Sequence, residues 1–187
     1  MNAAFKDRVV SRLAQIPPES AVVALKPAAV LIPIVTRTQP SVLFTLRTEN
    51  LPSHAGQISF PGGRRRDDDA SLTETALREV EEETGITRNL ISIAGFLDPL
   101  ETVTGFQVLP VVGFVDEGFS LRPCAAEVAD IFEVPLEFLL DPANRSLQRV
   151  IRNGAERETY VFDYGSHHIW GATAFMLAKF AERIGTI

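Results

Sequence analysis

The sequence predicts an α/β (α+β) fold in which a mixed central β-sheet is flanked by helices. Three observations lead there. Short apolar, β-branched runs and helically spaced segments alternate unevenly along the chain, the mark of a mixed sheet with covering helices. Of the 187 residues, 45% are apolar and 12 are Phe, enough for one domain with a real core and against disorder. No internal repeat or low-complexity tract interrupts the pattern.

The elements follow in order. Phe5, Val9, Leu13 and Ile16 keep helical spacing before Pro17-Pro18, so a helix over 5–16 is expected. With the linker after it, this makes an N-terminal segment 1–25, ahead of a single domain over 26–187. Ala28–Thr36 and Ser41–Arg47 are β-rich and separated by a turn at Gln39-Pro40. Pro52–Gly63, with Gly56, Pro61, Gly62 and Gly63, reads as a loop. Ser71–Thr84 reads as a helix with Ser71 as N-cap, Glu74 completing a capping box and Gly85 as the residue that ends it. Leu90–Leu97 and Phe106–Val115 are expected strands, and Pro135–Leu140 a short helix stopped by Asp141-Pro142. Leu147–Arg152 and Glu158–Phe162 suggest a hairpin around Asn153-Gly154, and Ala172–Ile184 a final amphipathic helix.

Charge is distributed unevenly. The formal net charge is −6, but Asp67–Glu83 alone holds eight acids and one base, Arg78. The remainder, with sixteen acids and seventeen bases, is near neutral. A negative chain without a basic tail is not a general DNA binder. The longest apolar run, Pro27–Val35, is far short of the ~20 residues of a membrane-spanning helix. The N-terminus has no apolar core and carries Asp7, unlike a secretory signal. The lone Cys124 suits a reducing compartment, and no spacing marks it as a nucleophile. A cytoplasmic location is expected.

The acidic segment carries the chemistry. A helix turns about 100° per residue, so with Glu79 at zero, Glu82 falls at about 300° and Glu83 at about 40°. Three carboxylates then share one face, Glu81 lies away from them, and Leu77, Val80 and Thr84 form a separate stripe suited to the core. Like charges at these spacings repel, and Glu82 and Glu83 sit where the helix dipole disfavours anions. A hard divalent cation, Mg²⁺ or Mn²⁺, explains the choice; taken alone, a solvated acidic face is the commoner origin of such a Glu run. Upstream, Phe60-Pro61-Gly62-Gly63 alone reads as a tight turn, but before a carboxylate helix its paired glycines would let backbone approach a ligand closely.

Gly63 through Ile86 resembles the Nudix box of Nudix hydrolases. Arg78, Glu79, Val80, Glu82, Glu83, Gly85 and Ile86 match its second half without a gap. Gly63 stands fifteen rather than fourteen residues before Arg78, and Ala70, beside Asp69, replaces the box's earlier glutamate. A one-residue longer loop with an aspartate resembles the coenzyme A pyrophosphatase branch. Leu43, Thr45, Arg47, Gly56, Phe60, Pro61, Gly62 and Gly63 resemble that branch's upstream signature, although Pro52 stands where it has an arginine. The stretches Glu127–Leu136 and Ile169–Ala174 resemble it as well.

The resemblance implies a Nudix-like α/β/α sandwich and a pyrophosphohydrolase that needs Mg²⁺ or Mn²⁺. It implies Glu82 and Glu83 as metal ligands, Glu79 as ligand or base, Gly63 as a carbonyl ligand, and Arg78 as a group that holds the glutamates. Glu127 is a candidate late ligand or base, with Glu101 a weaker rival. Arg47, Gln57, Gly62 and Gly63 are expected on the substrate side. At least two of Arg64, Arg65 and Arg66 are expected to neutralise Asp67–Asp69, the alternative being a substrate phosphate. His54, His167 and His168 are read as structural or solvated, and Trp170 as core. The implied substrate is coenzyme A or acyl-CoA, cut to 3′,5′-ADP and 4′-phosphopantetheine. Alternatives are ADP-ribose, a dinucleotide, a nucleoside triphosphate or capped RNA, or a Nudix module that binds a nucleotide without cutting it. A homodimer is left open.

Overall fold

The computed structural model describes residues 1–18, 25–152 and 155–185. At its centre β1 (Lys26–Val35) runs parallel to β7 (Phe106–Val115), in register from Lys26↔Phe106 to Val35↔Val115. Strands covered on both faces read as near-continuous apolar runs, which is why both are so plain in the sequence. Along β1, Ala28, Ile32 and Ile34 face one apolar cluster while Ala29, Leu31 and Val35 face the other. β7 repeats this, with Val108, Val112 and Phe114 opposite Leu109, Val111 and Val115.

Around this pair stand β2 (Ser41–Arg47), β3 (Ile58–Ser59), β4 (Gly62–Arg64), β5 (Ile91–Phe96), β6 (Leu100–Glu101) and β8 (Val128–Pro135). β1 pairs antiparallel with β4 through Ala28–Val30 and with β2 through Ile34 and Val35. Pro33 lies between those two ladders, where a residue without an N–H is tolerated.

α2 (Leu72–Thr84) covers one face, burying Ala76 and Val80 against Leu31, Val35, Leu43 and Leu109. α1 (Ala3–Arg12), α3 (Leu136–Leu140) and α4 (Gly171–Ile184) belong to the other side, where Phe5, Val9, Leu139, Leu177 and Phe180 meet Phe44 and Phe60. A second antiparallel sheet, β9 (Arg145–Arg152), β10 (Ala155–Tyr164) and β11 (His167–Trp170), adds Phe162 and Ile169 to that cluster. The expected hairpin is present as β9 and β10, while its Asn153-Gly154 turn lies outside the described residues. Among the described residues no helix is long and apolar enough to cross a membrane.

Four expectations are corrected. α1 stops at Arg12, not Ile16: Leu13 is extended, Ala14 exchanges backbone bonds with Phe96, and Ile16 is left exposed. Residues 52–63, expected as loop, contain β3 and the start of β4. β8 was not expected as a strand. Trp170 is 40% exposed rather than core, because strand alternation buries its neighbour Ile169 instead.

α2 ends as its sequence suggests. Gly85 sits at φ 78°, its N–H donating to the Glu81 carbonyl, and an added Cβ would lie 2.9 Å from Arg122 Cβ. Gly85→Ala is expected to cost about 1–2 kcal/mol. In thermal melts that lowers Tm by about 3–6 °C for a domain of this size. An unchanged Tm would mean that this turn relaxes freely.

Candidate active site

The site is built on α2 and the glycine turn before it. Ser71 Oγ accepts from the Glu74 N–H at 3.2 Å, starting the helix. The other half of the expected capping box is spent elsewhere, since the Glu74 carboxylate accepts from Arg88 Nη1 at 2.8 Å.

The three carboxylates differ in burial. Glu82 is exposed, Glu79 intermediate, and Glu83 only 3% exposed. The helical wheel explains this. The buried stripe is formed by Ala76, Val80 and Thr84 as well as Glu83, and Glu83 at about 40° lies between Glu79 and Ala76 at about 60°. Leu77, expected in the core stripe, is only partly buried. A carboxylate therefore occupies a core position.

Arg78 organises the cluster. Its Nε and Nη2 donate to the two oxygens of Asp69, each at 2.9 Å, and Nη1 donates to Glu79 at 2.8 Å and Glu82 at 3.1 Å. Nη2 also reaches the Arg64 carbonyl at 3.1 Å. Asp69, itself buried, accepts from Thr75 Oγ1 and the Arg66 backbone N–H, both at 2.9 Å. The Arg78 guanidinium, above all, holds the Asp69 carboxyl well below the usual carboxylate range.

Glu83 is the opposite case. Burial pushes its carboxyl up to about 8, with the charge of Glu79 adding to the effect, Arg47 opposing it and Glu127 adding more. Arg47 Nη1 is 3.9 Å from Glu83 Oε1, and Glu83 Oε2 is buried without a hydrogen-bond partner. Burial also raises Glu79, against the pull of Arg78.

The glycines bring backbone against these groups. A Cβ on Gly63 would run into the Glu79 carboxylate, and one on Gly62 would lie 2.6 Å from Val30 Cα. The Gly62 N–H is one of the groups that favour ionised Glu83. Gln57 joins through its carbonyl, which accepts from the Arg47 N–H at 3.0 Å, and through its side-chain Oε1, 2.8 Å from His54 Nδ1. Glu127 is exposed in the turn just before β8, its carbonyl accepting from the Thr48 N–H. Glu101 stands exposed on β6.

The arginine triplet does not neutralise the aspartates as expected. Arg64 lies over the Phe106 ring at 4.9 Å, Arg65 donates to the Asp69 carbonyl, and Arg66 forks onto Glu82. The Asp69 side chain has turned inward to Arg78, leaving the arginines to other partners. Asp69 lies in a loop nine residues before Arg78, and no local period joins the two in the sequence. The aspartate in the lengthened loop was the available signal.

Among the described residues no three Asp, Glu, His or Cys side chains are gathered about one point, and Arg66 and Arg78 draw Glu82 and Glu79 toward themselves. The donor set still fits a hard divalent cation. It is all oxygen, and it contains one buried carboxylate oxygen with nothing to bind.

The family model described as the NUDIX domain matches residues 25–153. A relative from Yersinia enterocolitica, "Uncharacterized Nudix hydrolase NudL", is 42% identical over 157 residues, spanning 84% of this chain and 80% of its own. Its namesake from Escherichia coli O1:K1 is 41% identical over 158 residues, covering 84% and 82%. In fold, the chain resembles a "MutT/nudix family protein" from Enterococcus faecalis, with TM-score 0.57 at 16% identity over 98% of this chain and 74% of that one. It also resembles a "MutT protein" from Methanosarcina mazei Go1, with TM-score 0.50 at 27% identity over 64% and 84%. Given these matches and the carboxylate helix behind its glycine turn, the chain belongs to the Nudix hydrolase family, enzymes that cleave phosphoric anhydride bonds.

Proposed function

We propose that this Nudix hydrolase cleaves coenzyme A or acyl-CoA to 3′,5′-ADP and 4′-phosphopantetheine in the cytoplasm, using Mg²⁺ or Mn²⁺. One observation carries the reading: Arg47 and Gly63, which match the coenzyme A-type signature, lie against the carboxylates of the box, with Gln57 beside Arg47. Arg47 reaches Glu83 at 3.9 Å, Gln57 bonds the Arg47 backbone, and Gly63 abuts Glu79.

Glu79, Glu82, Glu83 and the Gly63 carbonyl would hold the ions. When bound, the ions supply charge neutralisation at phosphate oxygens and an activated water. Arg78 fixes the carboxylates rather than touching substrate, since its donors are already spent on Asp69, Glu79 and Glu82. Arg47, with its Nε buried and unpartnered, is placed to take a phosphate oxygen once Glu83 is neutralised by an ion. Glu127 lies close enough for its charge to act on Glu83, which suits a late ligand or the base that takes the proton of water. Net, water adds across the P–O–P bridge and each phosphorus leaves with an oxygen.

A substrate panel with Mg²⁺ and then Mn²⁺ tests this. Coenzyme A is expected to be cut at least about ten times more efficiently than ADP-ribose, NADH or nucleoside triphosphates, a margin that specific polar recognition readily provides. Faster cleavage of ADP-ribose overturns the coenzyme A assignment. Turnover unchanged in Glu82→Gln overturns the ligand assignment.

A further inference from the structure

Arg66 is the one member of the arginine triplet that engages the carboxylate face of α2. Its Nη1 and Nη2 donate to the two oxygens of Glu82 at 2.7 and 2.8 Å, a fork-to-fork pair. Both carboxylate oxygens are thereby occupied. Arg78 adds a third donor to Glu82 at 3.1 Å, but the two arginines are held very differently. Arg78 is 14% exposed and anchored on Asp69, whereas the Arg66 and Glu82 side chains are 53% and 42% exposed. An exposed pair of this kind is weak and easily exchanged. Beside it, Pro27, Arg65, Arg66 and Asp67 line a solvent-open surface pocket of about 240 Å³.

We infer that Arg66 is the cation that holds Glu82 when no metal is bound, that a divalent ion displaces it, and that the freed guanidinium turns into the adjacent pocket to meet a substrate phosphate. The inference rests on the reading of Glu82 as a metal ligand. The exchange favours the ion: one monovalent cation leaves the carboxylate as a divalent one arrives, so Glu82 is never left without a counter-charge and the face gains one positive charge for an anionic substrate. It also orders the steps. The phosphate-binding arm is free only after the metal is in place, so a bare site offers the substrate little. Arg66 is thus a residue that couples metal loading to substrate binding, distinct from Arg78, which has no free direction in which to move.

Mn²⁺ binding to the full chain, followed by the loss of the free-ion paramagnetic resonance signal, tests the first step without any turnover. Arg66→Ala removes the competitor and is expected to tighten Mn²⁺ about three- to fivefold, the hold of an exposed ion pair. Arg64→Ala removes the same charge two residues away from an arginine that lies over Phe106, and is expected to change the affinity by less than half as much. Equal tightening in both variants, or none in Arg66→Ala, overturns the competition. The second step is read with ADP as probe by calorimetry. Arg66→Ala weakens ADP several-fold at saturating Mg²⁺ and leaves it unchanged in EDTA. An equal loss in both conditions, or no loss with Mg²⁺, overturns the release into the pocket. Glu82→Gln separates the two readings. If it keeps wild-type Mn²⁺ affinity, the ligand assignment fails and this inference with it. If it loses Mn²⁺ while Arg66→Ala gains nothing, only this inference fails.

Discussion

Glu83→Gln is expected to raise the Tm of the metal-free protein while lowering kcat at saturating Mg²⁺ by at least about a hundredfold. The two signs come from one fact. Glu83 occupies a core position of α2, 3% exposed, with one oxygen lacking any partner and the other 3.9 Å from its nearest cation. Glu79 and Glu127 add like charge. A helix selected only for stability would place an apolar residue there. Gln keeps the shape, removes the ionisable group that burial and the neighbouring carboxylates penalise, and supplies an amide that can donate toward Glu79. The gain is on the order of 1 kcal/mol, or about 2–4 °C in a melt with EDTA. Glu81→Gln is the control: Glu81 is a partly exposed carboxylate 3.7 Å from Arg88, and neither readout should move. A lower Tm for Glu83→Gln would make Glu83 a structural residue, and retained kcat would remove it from the site.

What could be read in the sequence follows physical lines. β1, β2 and β7 were legible because burial on both faces or at the sheet centre demands unbroken apolar runs, and α2 because its cap, its stripe and Gly85 all agree. β8 was not. It is an edge strand paired with β2, and its Asp130, Glu133 and terminal Pro135 are what an edge needs to avoid pairing with strangers. Those same residues erase the strand pattern. Glu133 is engaged by Arg37 and Ser41, partners 96 and 92 residues away that no local spacing announces. In the site, the helical period puts Glu79, Glu82 and Glu83 on one side of α2. It could not place Glu83 in the core, because that depends on which flank of the helix the sheet covers. Nor could it pair Asp69 with Arg78 or Arg66 with Glu82, contacts that arise only when the loop after β4 folds back over α2.

That fold-back makes Arg78 the residue whose loss should matter most to stability. Arg78→Ala leaves Asp69 buried with only Thr75 Oγ1 and the Arg66 N–H, and strips the Arg64 carbonyl of a donor. Removing one partner of a largely buried pair costs about 3 kcal/mol, so Tm is expected to fall by on the order of 10 °C. Arg78→Lys separates charge from geometry. One ammonium cannot donate in parallel to both Asp69 oxygens while holding Glu79 and Glu82, so part of the Tm returns but kcat stays low. A lysine variant with full activity would show that charge alone suffices. The acid limb supplies a second check through Asp69→Asn. Because the folded carboxyl of Asp69 is depressed, chiefly by Arg78, the pair stabilises the fold fully above the ordinary aspartate pKa of about 3.9. That stabilisation is lost only as the pH falls from there through the depressed value. The Tm gap between wild type and Asp69→Asn should therefore be constant from pH 7 to about 5 and shrink below about 4. A gap that is flat down to pH 3 would mean that the carboxylate's charge contributes nothing, and that Arg78 is held by its hydrogen bonds to Glu79, Glu82 and the Arg64 carbonyl alone.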